Sequence, residues 1–83
     1  MYTNPRVRLV VVTRKGCHLC EDVEGQLRAL GYEPELADVD ADDELYRLYD
    51  FRVPVVLLDG KVVAEGLITR SQLEAALGRA GRD

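Results

Sequence analysis

Cys17 and Cys20 are the two cysteines of this chain, with His18 and Leu19 between them. Two intervening residues, wound into the first turn of a helix, bring both sulfurs within bonding distance. At that helix end the unpaired backbone N–H groups and the positive end of the dipole favour an ionised sulfur. A thiolate is the nucleophile of disulfide exchange, and a second thiol three residues on can displace whatever the first has captured. Charged Lys15, Arg14 and His18 support the thiolate, whereas Glu21, Asp22 and Glu24 oppose it. The expected balance is a Cys17 pKa below the free value of about 8.5, at roughly 6 to 7. The pair is equipped for dithiol redox chemistry.

Other uses of the same residues fit less well. A loop closed by cysteines this close constrains the unfolded chain little, so a structural staple is a poor explanation. Zinc takes four ligands, and one chain offers two thiols plus His18, which lies unfavourably between them. No metal site is expected within one chain. The alternative is a homodimer that gathers four sulfurs around a metal or iron–sulfur cluster. Asp38, Asp40 and Asp42 begin like a calcium loop, but Asp43 stands where the turn needs glycine and Tyr49 where a bidentate carboxylate belongs. These acids read as the start of a helix. Arg52 is a surface cation or an anion contact for a substrate carboxylate.

The elements that must position the cysteines follow from hydrophobic periodicity. Val7 to Val12 is a nearly continuous β-branched run, as in a strand covered on both faces. Leu19, Val23, Leu27 and Leu30 then form one stripe of a helix that stops at Gly31. A second strand covers Glu35 to Val39. A short helix carries Leu45, Leu48 and Tyr49, with Tyr46, Tyr49 and Phe51 expected to line the edge of the core. Val53 to Leu58 and Lys61 to Ala64 make a hairpin around Asp59-Gly60, a pair suited to a two-residue type I′ turn. A last helix opens with two overlapping capping boxes, Thr69 with Gln72 and Ser71 with Glu74, and buries Leu73, Ala76, Leu77 and Ala80. The order is β-α-β-α-β-β-α. A right-handed crossover makes the first two strands parallel, and the hairpin adds two antiparallel ones. The expected architecture is α/β, a four-stranded mixed sheet with helices on both faces.

Size and charge narrow the function. The chain has 83 residues, 47% of them apolar, which suits one domain spanning 1–83. Its net charge of −4 and the lack of a basic stripe argue against nucleic acid and anionic lipid as partners. No stretch reaches the length of a membrane span or a signal-peptide core, so no membrane partner is expected. A reducing cytoplasm is the expected setting for such a cysteine pair. A monomer is the default expectation.

The element order, with a Cys-x-x-Cys at the first strand–helix junction and Val53-Pro54 before the third strand, resembles the thioredoxin fold. Within it, the short chain and the stretch Lys15 to Asp22 resemble glutaredoxins and small glutaredoxin-like proteins, over roughly residues 7 to 80. The resemblance implies Cys17 as the exposed attacking thiol and Cys20 as the buried resolving thiol. It implies a disulfide-containing protein or small molecule as substrate, and a separate reductase or thiol reductant as partner. Pro54 matches the cis-proline that faces the cysteines, turning the backbone of Val53 outward to pair with an extended substrate segment. Lys15, His18, Arg52, Val53 and Pro54 are therefore the candidate substrate contacts.

The departures from the family pattern are specific. His18 and Leu19 replace the Pro-Tyr of glutaredoxins, and Arg52 stands where Thr-Val-Pro has its threonine. Ala64-Glu65-Gly66-Leu67 replaces a Gly-Gly pair and the acid after it. Val11 stands where thioredoxins carry a buried acid. In glutaredoxins the acid after the Gly-Gly pair meets the glutathione amine, so an intact glutathione site is not expected and no other cofactor is implied.

Overall fold

The computed structural model describes residues 8–81, with side chains described as far as residue 78. Val7 and the side chain of Ala80 therefore lie outside the described residues. The elements are β1 (Leu9–Thr13), α1 (His18–Ala29), β2 (Glu35–Asp38), α2 (Asp43–Tyr49), β3 (Val55–Leu58), β4 (Lys61–Glu65) and α3 (Arg70–Gly81). The strands lie in the order β2-β1-β3-β4. β1 runs parallel to β2 and antiparallel to β3, and β3 runs antiparallel to β4.

Alternation along the strands sends side chains to two separate cores. On one face Val11, Val56 and Leu58 pack with Val23 and Leu27 of α1 and with Ile68, Leu73 and Leu77. On the other face Val12, Val39 and Val55 pack with Leu45 and Tyr49 of α2. Helices thus cover both faces. Burying each aliphatic side chain contributes about 1.5–3 kcal/mol.

Four positions differ from the periodicity reading. Leu19 is 44% exposed, and the buried stripe of α1 is Cys20, Val23 and Leu27. Those three recur at i, i+3 and i+7, whereas Leu19 sits at the helix start, turned off that stripe. Tyr46 and Phe51 do not line the core edge: they are 48% and 96% exposed. α2 spans seven residues, so one i, i+4 pair, Leu45 and Tyr49, meets the sheet. Leu48 also faces outward.

The turns follow their residue types. Asp59 and Gly60 both have positive φ, 53° and 83°, as a type I′ turn requires. Val62 pairs with Leu57 and Ala64 with Val56, leaving Val63 as the extra residue of a bulge on the edge strand. At α3 the first of the two capping boxes is used. Thr69 Oγ1 accepts from the Gln72 N–H at 3.2 Å, and Gln72 Oε1 accepts from the Thr69 N–H at 2.8 Å. Ser71 lies inside the helix.

Register fixes where the chemistry sits. Thr13 pairs with Asp38, Val12 with Val55, and Val55 with Glu65. The chain leaving β1, β2 and β4 and the chain entering β3 therefore meet at one end of the sheet. Cys17, Asp40, Arg52, Pro54 and Leu67 are all carried on these segments.

Candidate active site

Cys17 is the N-cap of α1, in extended conformation with φ −88° and ψ 106°. Its Sγ accepts a hydrogen bond from the Cys20 N–H at 3.1 Å, one of the donors a helix start leaves unpaired. The Cys17 N–H in turn donates to the Arg14 carbonyl at 3.2 Å. Cys17 is half-buried, Cys20 is fully buried, and the two are joined as a disulfide. The oxidised pair thus presents one sulfur towards solvent and keeps the other in the core.

At the same end of the sheet, the Val53–Pro54 peptide bond is cis and Pro54 is buried. Around this segment the Arg52 N–H donates to the Tyr49 carbonyl at 2.9 Å and the Gly66 N–H to the Pro54 carbonyl at 2.8 Å. Among the described residues no backbone hydrogen bond uses the Val53 N–H or carbonyl. Lys15 and His18 are exposed beside Cys17, with His18 Nδ1 3.8 Å from Glu21. Val11 is fully buried among apolar side chains, so no acid lies behind the cysteines at that position. Three large apolar side chains that are exposed, Leu19, Phe51 and Leu67, belong to the segments at this end of the sheet.

Two arginines at the site edge are already engaged. Arg14 donates from Nε and Nη2 to the two Asp40 carboxylate oxygens, each at 2.9 Å. It also donates to the Asp50 carboxylate and, at 3.2 Å, to the Asp50 carbonyl. The guanidinium lies over the Tyr46 ring, 6.0 Å from its centre. This clamp ties the loop before Cys17 to the loop after β2 and the end of α2. Hydrogen bonds to Arg14 hold the Asp40 carboxyl below its ordinary pKa. A charge so compensated gives the Cys17 thiolate less support than the sequence alone implied.

Arg52 is engaged in the same manner. Nε and Nη2 donate to the two Glu65 carboxylate oxygens at 2.7 and 3.0 Å, and Nη1 donates to the Leu48 carbonyl at 3.3 Å. The Tyr49 ring lies beneath it at 5.1 Å. The pair raises the arginine pKa and lowers that of Glu65. Arg52 and Glu65, two separate departures from the family pattern in sequence, are thus partners in space. Periodicity could not show this, because the register that brings Glu65 beside Val55 depends on the bulge. Within the described residues no group of three or more His, Cys, Asp or Glu side chains gathers as a metal site. No helix among them is long and apolar enough to cross a membrane.

A half-buried sulfur capping a helix, a buried second sulfur and a mixed sheet of this order define a glutaredoxin- or thioredoxin-type α/β protein. Residues 8–78 match the family described as Glutaredoxin-like domain (DUF836), and the chain belongs to that family. The solution structure of protein Ne2328 from Nitrosomonas europaea is 32% identical, with a TM-score of 0.74, covering 90% of this chain and 95% of that one. Protein XcR50 from X. campestris is 27% identical, with a TM-score of 0.76, covering 86% of this chain and 96% of that one. A thioredoxin mutant from Halobacterium salinarum is 28% identical, with a TM-score of 0.63 and coverage of 89% and 74%. No curated protein matches. Family membership and the Cys17–Cys20 pair support a thiol oxidoreductase-like role.

Proposed function

We propose that this protein is a thiol–disulfide oxidoreductase that reduces disulfides in proteins or small molecules through Cys17 and Cys20. The observation that carries the reading is the asymmetry of the pair: Cys17 reaches solvent at a helix N-cap, while Cys20 is fully buried behind it. In the dithiol form, Cys17 thiolate attacks a substrate S–S bond and expels one substrate sulfur as a thiolate, which takes up a proton. Cys20 then loses its proton and attacks Cys17, releasing the second substrate thiol and leaving the protein disulfide. Two electrons pass from the protein to the substrate. A separate thiol reductant or reductase restores the dithiol.

The unpaired N–H and carbonyl of Val53 support pairing with an extended substrate segment beside the sulfurs. The Lys15 cation and the His18 imidazole are exposed on the chain beside the attacking sulfur. Action as a monomer in a reducing compartment such as the cytoplasm completes the proposal. Trapping tests it. Cys20→Ser protein exposed to disulfide substrates should accumulate mixed disulfides on Cys17, and Cys17→Ser protein should accumulate none. Equal trapping by both variants would contradict the assigned order of attack.

A further inference from the structure

Glu65 is an exposed acid whose carboxylate is committed to an arginine at the edge of the site. Nothing in the mechanism above uses it. Both partners are accessible: the side chains of Arg52 and Glu65 are 44% and 42% exposed. The pairing is side-on and bidentate, through Nε and Nη2 of the guanidinium. That is the geometry in which arginine also recognises a foreign carboxylate. The remaining bond, from Nη1 to the Leu48 carbonyl, and the Tyr49 ring beneath hold the guanidinium in place whichever carboxylate it meets. A shallow hollow of about 330 Å³, lined by Arg52 with Tyr46, Leu48 and Phe51, opens beside it. Room for a substrate group and a suitable cation are therefore adjacent, and the cation is filled by the protein's own acid.

We infer that Glu65 is a specificity-determining residue: by occupying Arg52 it acts as an internal carboxylate that lowers the preference for disulfides bearing carboxylates. This rests on the proposed dithiol function. A carboxylate-bearing substrate must displace Glu65 from Arg52 and then face its uncompensated charge. An uncharged or apolar substrate meets neither cost. Arg52 next to Val53-Pro54 is thus a cation whose attraction is masked towards anionic substrates.

The test compares two chromogenic disulfides in single turnover with the fully reduced protein. Dithiobis(nitrobenzoate) is a dianion at neutral pH, and dithiodipyridine is uncharged. The readout is the ratio of their second-order rate constants, which cancels any general change in cysteine reactivity. Glu65→Gln should raise the anionic-to-neutral ratio roughly two- to fivefold, the range set by exposed ion pairs. In an Arg52→Gln background the same change at position 65 should raise the ratio by a clearly smaller factor, because it removes a negative charge but frees no guanidinium to pair with a carboxylate. No rise in the single variant would overturn the inference. So would an equal rise in the Arg52→Gln background, which would mean that Glu65 acts only as a distant negative charge. Failure of the reduced unsubstituted protein to react with either disulfide would instead overturn the dithiol function itself, and the inference with it. Circular dichroism of each variant confirms that the comparison is between folded proteins.

Discussion

Cys17 and Cys20 differ in surroundings as much as in proposed role. Cys17 occupies an N-cap, a position where serine is among the preferred residues because its oxygen accepts from the next turn. Cys20 has no exposed surface and packs into the interior with Val23 and Leu27 of the same stripe. Under reducing conditions Cys17→Ser should therefore leave stability unchanged or slightly raised. Cys20→Ser should cost about 1–3 kcal/mol, because a buried hydroxyl replaces a sulfur that behaves as a small apolar group. Urea denaturation of the reduced variants checks this, and equal losses would contradict the burial assigned to Cys20. The cysteine spacing was fully legible in the sequence. The state of the neighbouring arginines was not, since Asp40 and Asp50 reach Arg14 from other elements, and Glu65 reaches Arg52 across the hairpin.

Helices and strands were legible wherever one residue type forces one geometry. Asp59-Gly60 sets its turn, and the β-branched runs of β1 and β3 need cover on two faces. α2 was less legible because two turns bury too little to determine which side chains face in. Phe51, just past its end, stands almost wholly in solvent. α3 offered two overlapping starts, and the choice between them is testable. Thr69→Ala should lower stability by about 0.5–2 kcal/mol, and Ser71→Ala should have little effect. The reverse order would place the helix start two residues later. Leu27→Ala, removing the largest side chain that α1 buries fully, should cost about 2–5 kcal/mol. Thermal or urea unfolding measures all three. Leu19 fits the stripe of α1 by spacing alone, yet in the first turn it is Cys20 that is buried and Leu19 that faces outward.

At the scale of the whole molecule, ion pairs reinforce contacts between neighbouring strands and loops. Arg8 pairs with Glu35 between β1 and β2, Arg14 with Asp40 between loops, and Arg52 with Glu65 across the hairpin. Each arginine holds its carboxylate below the ordinary value, which is 4.5 for Glu35 and Glu65 and 3.8 for Asp40. A carboxyl with a lowered pKa in the folded state binds protons more readily when unfolded. Its contribution is complete above the ordinary value and is lost as pH falls through the lower folded one. Stability should hold from neutral pH to about 5 and decline below about 4.5, by a modest amount because the pairs are exposed. Arg14→Met should flatten part of that decline. A urea midpoint that rises on acidification would contradict the sign.

The ionisation of Cys17 in the reduced protein is the most direct measurement of all. The fully reduced chain is alkylated from pH of about 5 to about 9 and the modified cysteine is identified by mass spectrometry. The expected result is that Cys17 reacts well ahead of Cys20, with a rate inflection below pH 8 set by the helix start and the Cys20 N–H. A profile without inflection below pH 8, or one in which Cys20 reacts first, would contradict the proposal that Cys17 is the attacking sulfur.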